Sequence, residues 1–475
     1  MTARRPDAAD LCWRPATELA GLIRRRTVSP VEVVDAVLRR IDKVNPTLNA
    51  YVTLTAEAAR REAKAAERAV TRRSARLGPL HGVPFSVKDL VVTRGVRTTF
   101  GTPLYRDHVP AEDAPIVERL RAAGAIMVGK TNTPAFGWIG ATHNLLFGPT
   151  RNPWNLGRTP GGSSGGASAA AAAGLGPLHV GTDGGGSIRI PASCTGIYGF
   201  KPSYGRIPAH PPSGAWSLSH VGPMTRTVAD AALVLSVCAG PDERDPHSLP
   251  AERVDWTKAA GGSLAGLRVA WAEDLGFADC VDPEVVAVCR RAARAFRELG
   301  CRLDEVEPRW PSPREAWGEI FCGGIAARLA PSLDRTDALD PGLLELARLA
   351  LRKPPTAYVQ AWLDRLAWWQ HPCALFERYD LLLTPTIACP PFAVGLDNPT
   401  HIAGRPVGAY AWIPFTYPFN LTGQPAASVP AGFTADGLPV GLQIVGRRFA
   451  DATVLRASAA FERARPWSQH RPPLD

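Results

Sequence analysis

The chain of 475 residues has no long hydrophobic run: its most continuous small apolar stretch, 167–175, falls far short of the ~20 residues that cross a bilayer. No integral membrane role is therefore expected. Nor is an export signal, because Arg4 and Arg5 are followed by Pro6-Asp7-Ala8-Ala9-Asp10, where a signal peptide needs an apolar segment. Cysteine is sparse and unpatterned, nine residues at 12, 194, 238, 280, 289, 301, 322, 373 and 389 with no C-x-x-C pair. An odd, scattered set argues against a disulfide framework or a zinc site and fits a reduced, cytoplasmic setting. The ten histidines include no two at metal-ligand spacing, so no metal or other cofactor is expected. Tandem repeats are absent as well. The net charge of +10 raises nucleic acid as a partner, but the arginines are dispersed, Arg24-Arg25-Arg26 is a short block, and no basic motif is interleaved with aromatics. A solvated basic surface is the expected meaning.

What is present is an ordinary globular composition, 45% hydrophobic and 21% charged. Residues 1–75 read as helices packing on a core: Ser29-Pro30 can cap one with Val31, Val34, Val37 and Leu38 on its apolar face, and 56–70 is an Ala/Glu/Arg helix. From Leu80 the pattern changes to short apolar runs bounded by glycine and proline, at 83–88, 125–128 and 177–181, with a helix at 116–123. Residues 240–265 look like a long surface connection. Strand-like 267–271 and helical 283–299 follow, then a tryptophan-rich helical stretch at 310–369, and strands again at 381–384, 427–429 and 440–445. Buried strands alternating with helices predict an α/β fold with a covered sheet.

Two motif matches fail on context. Gly124-Ala125-Ile126-Met127-Val128-Gly129-Lys130-Thr131 fits the P-loop pattern, yet its middle is strand-like and Pro134 follows where a helix should begin. Lys130 is expected at a strand end or in a pocket. Gly161-Gly162-Ser163-Ser164-Gly165 fits the G-x-S-x-G elbow, but a turn-rich segment precedes it rather than a strand. His81 is expected to pack.

The chemistry lies in two glycine-rich turns that each present a serine, Gly161-Gly162-Ser163-Ser164-Gly165-Gly166 and Gly184-Gly185-Gly186-Ser187-Ile188-Arg189. Glycine lets backbone approach a ligand closely, and free N–H groups beside a hydroxyl are what acyl transfer requires. A serine also needs a base. With no histidine flanking either turn, Lys88 at the end of the apolar run 83–87 is a candidate, provided burial lowers its pKa; a surface charge is the alternative for this residue alone.

Taken together, Lys88, Ser163 and Ser187 in these settings resemble the amidase signature family. The resemblance extends to Gly129-Lys130-Thr131-Asn132, to 147–154 and 199–206, to Leu383-Thr384-Pro385-Thr386 and to Gly437-Leu438-Pro439-Val440-Gly441-Leu442-Gln443, covering about residues 15–465. It implies one large α/β domain, a mixed twisted sheet covered by helices on both faces, with 76–240 as the signature core and 241–475 as the remainder. It implies a Ser-Ser-Lys triad: Ser187 as acyl-forming nucleophile, Ser163 as bridging serine on a cis peptide bond, Lys88 as terminal base. The N–H groups of Gly184, Gly185, Gly186 and Ser187 would form the oxyanion hole, with Ser164 orienting the relay and Asp183 and Arg189 bracing the loop. Gly184 departs from relatives that carry a larger residue there.

The family also includes carbamate-cleaving urethanases, cyclic-dimer hydrolases and the amidase-type component of a tRNA-dependent amidotransferase, which needs a partner. Substrate choice is expected in the poorly matching segment 308–415, with Phe321 and Trp412 in the pocket and Trp138 and Trp216 added to it. That segment shows no evident charged anchor. The expectation is a stand-alone amidase of apolar or aryl amides, monomeric or homodimeric, with a carbamate or cyclic or oligomeric amide as alternative substrate.

Overall fold

Neighbouring residues along the strands are buried on opposite sides. Val269, Trp271, Leu381, Leu383 and Ile444 enter one apolar core, whereas Ala270, Leu382 and Val445 enter another. Side chains of a strand point alternately to its two faces, so this sheet is covered on both. The computed structural model describes residues 7–72 and 76–474; Arg4, Arg5, Pro6 and the 73–75 end of the expected helical segment lie outside them.

The strands are β1 (Tyr51–Leu54), β2 (Pro84–Lys88), β3 (Ile126–Thr131), β4 (Leu178–Asp183), β5 (Tyr198–Lys201), β6 (His220–Thr225), β7 (Arg268–Trp271), β8 (Arg302–Glu305), β9 (Leu381–Pro385), β10 (His401–Ile402), β11 (Arg405–Pro406), β12 (Ala426–Phe433) and β13 (Pro439–Gly446). All but the β10–β11 pair form one eleven-stranded sheet, in the order β1-β3-β2-β4-β6-β5-β12-β13-β9-β7-β8. Pairing is parallel within β3-β2-β4 and β9-β7-β8 and antiparallel from β4 through β9 across the centre. The sheet is mixed, and the chain forms a single α/β domain.

Helices supply both covers. Pro30–Leu48, Pro283–Glu298 and Asp451–Ala464 place Val34, Phe296 and Phe461 in the first core, while Arg314–Leu329 and Pro341–Leu351 place Ile320 and Leu343 in the second. Ser29 caps Pro30–Leu48 through a reciprocal box with Glu32, its Oγ accepting from the Glu32 N–H at 3.1 Å. The N-terminal segment is not wholly helical. β1 lies between two helices and pairs antiparallel with β3, a four-residue strand too short to show a period of its own. Among the described residues no helix is long and apolar enough to cross a membrane.

The P-loop match is a strand: residues 126–131 are β3, and Lys130 is fully buried with its ammonium donating to Val91 O, Thr93 Oγ1 and Thr98 Oγ1. Its place is structural, away from the cavity described below. His81 packs as expected, with Nε2 at 3.0 Å from Ala66 O.

Candidate active site

β2 and β4 run parallel side by side, so Lys88 and Thr182 emerge at the same edge of the sheet. Beyond β4 the chain turns through Gly184, Gly185 and Gly186 to Ser187 and enters the helix Arg189–Thr195. The other serine turn leads into the helix Gly165–Ala172, and its Gly162–Ser163 peptide is cis. Only glycine fits at 162, where an added Cβ would lie 2.4 Å from Ala141 O.

Lys88 is fully buried, and its Nζ lies 2.7 Å from Ser163 Oγ, 2.9 Å from Ser164 Oγ and 2.9 Å from Thr182 Oγ1. No carboxylate among the described residues pairs with it. Burial pushes its pKa well below the usual lysine value, against a smaller opposing effect of the Asp183 charge. Three hydroxyls suit a neutral amine, which has two N–H donors and one lone pair, because each hydroxyl can donate or accept.

The nucleophile turn is held from beneath by a buried charged cluster. Arg189 forms a fork on Asp183, at 2.9 Å to each carboxylate oxygen, and donates onward to Thr416 O, Gln443 Oε1 and Asn420 Oδ1. Burial acts to raise the Asp183 pKa, but the Arg189 charge and hydrogen bonds, with Lys201 and Asn420, prevail and hold it well below the ordinary carboxylate range. The expected bracing pair is thus formed. Arg189→Met would leave a buried carboxylate without its cation, and a loss of stability of about 3–5 kcal/mol is expected, read as a lowered denaturation midpoint.

Asp183 also changes the expected anion site. Its Oδ1 accepts the Gly186 N–H at 2.7 Å, so Gly186 is committed to the turn itself and is not an open donor. The N–H groups of Gly184, Gly185 and Ser187 donate to no protein acceptor among the described residues. The carbonyls of the turn are pinned, Gly184 O by Trp317 Nε1 at 3.0 Å and Gly185 O by Thr416 Oγ1 at 2.7 Å. Gly185 must remain glycine because a Cβ there would lie 2.6 Å from the Trp317 ring.

Ser163 and Ser187 open onto one cavity of about 160 Å³, whose walls include Phe100, Ile116, Phe136, Ala215, Val221, Phe321 and Ile325. Of the four aromatics expected there, Phe321 lines it. Trp412 is 1% exposed and fills core space against Gly140 and Phe392, with Nε1 on Asn398 Oδ1 at 3.0 Å. Trp138 borders a separate cavity with Trp317 and Tyr410. Trp216 is 40% exposed and stacks on His247 at the surface. Large rings serve the core as readily as a pocket, and composition alone does not separate the two uses. Most of the wall comes from 90–137 and 208–221, outside the segment 308–415 where substrate choice was expected. Gly184 lines the cavity, and a Cβ there would meet Phe321 Cε2 at 3.5 Å, an ordinary contact, so its absence leaves room beside that ring.

Sequence reasoning missed Thr182, Trp317, Thr416 and Asn420. Thr182 stands next to Asp183 at the head of the glycine-rich turn, and Gln443 lies within the C-terminal motif, so both carried a signal; Trp317 and Asn420 reach the site only by tertiary contact.

Comparison with known proteins agrees with this arrangement across the whole chain. An acylamidase of Rhodococcus erythropolis is 44% identical over 469 residues, covering 98% of each chain. The amidase-type component of the glutamyl-tRNA(Gln) amidotransferase of Moorella thermoacetica is 39% identical over 491 residues, 98% of this chain and 99% of that one. The crystal structure of a bacterial aryl acylamidase of the amidase signature enzymes superposes with a TM-score of 0.90 at 36% identity, covering 96% and 97%. With the Amidase family model matching residues 32–455, the chain belongs to the amidase family.

Proposed function

We propose that this chain hydrolyses the C–N bond of small apolar or aryl amides through an acyl-enzyme. The observation that carries the reading is the buried Lys88, without a carboxylate partner, 2.7 Å from Ser163 on the wall of a largely apolar cavity that also holds Ser187. Ser187 Oγ attacks the carbonyl while its proton passes to Ser163 and the Ser163 proton to Lys88 Nζ. The developing oxyanion is met by the N–H groups of Gly184, Gly185 and Ser187. Collapse expels the amine, which takes a proton back through the same relay and leaves the acyl group on Ser187. Water activated by Lys88 and Ser163 then releases the acid and restores the serine. Ser164 and Thr182 hold the lysine amine in line.

A carbamate or a cyclic or oligomeric amide would react by the same steps. The protein would act in the cytoplasm, as a monomer or homodimer. A second reading has support in the 39% identity to an amidotransferase component, which would make this chain one part of a larger assembly. The purified chain alone is the test: turnover of an acyl anilide is expected, and a chain that labels at Ser187 with a fluorophosphonate yet turns over no anilide, aliphatic amide or carbamate would favour the amidotransferase reading.

A further inference from the structure

The helix Arg314–Leu329 sends Phe321, Ile325 and Arg328 into the cavity at positions i, i+4 and i+7, one stripe on one face. The stripe runs from inside to outside. Phe321 and Ile325 are buried, with Phe321 beside Gly184 of the nucleophile turn, whereas Arg328 is exposed. At 1.5 Å of rise per residue, Arg328 stands about 10 Å from Phe321 along the helix, at the mouth.

The Arg328 guanidinium carbon lies 4.9 Å from the Phe100 ring centre and 5.1 Å from that of Phe136, both wall residues that stack on each other. Stacking on aromatic faces fixes the plane of a guanidinium while its N–H fork stays free at the edge. That fork has no acceptor: Arg328 makes no ion pair and donates no hydrogen bond among the described residues. No Asp or Glu lines the cavity. The other ionisable wall group, His210, has its own partner in Glu112 at 3.4 Å. An oriented, unpaired cation at the rim of an apolar cavity selects for an anion.

Resting on the amide-hydrolase reading for the chemistry at Ser187, we propose that Arg328 is a specificity residue that binds a carboxylate at the far end of the substrate. The preferred substrate is an amide carrying a terminal carboxylate on its acyl or amine portion, about 10 Å from the scissile carbonyl. That span is roughly eight bonds of extended chain. The apolar walls hold the intervening chain or ring, and the fork on the carboxylate sets its register against Ser187.

The test uses matched amides of that length that end in a carboxylate or in a neutral carboxamide, with the end group placed on the acyl side in one pair and on the amine side in the other. kcat/KM is measured for the wild type, Arg328→Gln and Arg328→Lys, and binding to Ser187→Ala is measured by calorimetry. In at least one pair the wild type is expected to favour the carboxylate about tenfold, with the ratio falling to about one in Arg328→Gln, partly kept in Arg328→Lys and reduced by salt. A wild-type ratio near one in both pairs, or a preference that survives Arg328→Gln, overturns the assignment. If no amide is turned over, the calorimetric ratio decides: tighter carboxylate binding that depends on Arg328 retains the anion site while the amidase reading fails, and equal or absent binding removes the anion site too.

Discussion

Ser187→Ala is expected to lose the fluorophosphonate adduct and to lower amide turnover by at least about 10³-fold, with the fold intact. The loss is large because no other hydroxyl in the cavity combines the same two features. Ser187 faces the cavity from a turn whose Gly184, Gly185 and own N–H groups are unpaired, so the attacking atom and the anion donors belong to one rigid unit. That unit is braced by the Asp183–Arg189 pair, by Trp317 on Gly184 O and by Thr416 on Gly185 O, none of which touches the Ser187 hydroxyl. Deleting one oxygen therefore removes chemistry and leaves packing. Intact mass and peptide mapping read the result. The adduct should fall on Ser187 in the wild type and persist there, weaker, in Ser163→Ala. An adduct on Ser163 would instead make it the nucleophile of a G-x-S-x-G elbow and sink the relay order.

Lys88→Ala is expected to reduce kcat/KM by about 10²–10⁴-fold at neutral pH, the range of a lost general base. The pH profile is the sharper readout. Lys88 must be neutral to accept a proton, so activity is present above its pKa and is lost as pH falls through it. Because burial lowers that pKa well below the lysine value, the acid limb of the wild-type profile should lie well below pH 10.5. In Lys88→Ala that limb should vanish, and the residual activity should rise only as hydroxide becomes abundant. Near-normal turnover with an unchanged limb would show that the proton goes elsewhere. Substitution removes a buried amine from three hydroxyls that can rebond to one another or to water, so the destabilisation should be modest beside the catalytic loss.

The catalytic triplet was legible because its constraints are local. A serine between glycines, a lysine at the end of an apolar strand and an arginine two residues past the second serine are written in consecutive letters, and the backbone shapes they require are properties of those letters. The strands with strong apolar runs were readable for the same reason. β1 and β8 were not, since four residues with one face exposed carry no period, and pairing with β3 and β7 makes them strands. The pocket was least legible. Trp412 and Trp138 look like a ligand wall in composition, and only the packing of Gly140 and Gly342 against their rings shows where they are spent. Arg328 is one of many dispersed arginines until Phe100 and Phe136, far earlier in the chain, come beneath it.

The amino-acid sequence by itself determined the family, the two serine turns, the candidate base and the alternation of buried strands with helices, because short-range sterics and hydrophobic periodicity act between near neighbours. Tertiary structure alone decided that Lys88 has no counter-charge, that Gly186 is spent on Asp183, that the walls come from 90–137 and 208–221, and that one arginine guards the mouth. Each of these depends on which distant segments share a volume and exclude water from it, and burial and partnership are properties of that volume rather than of any stretch of chain.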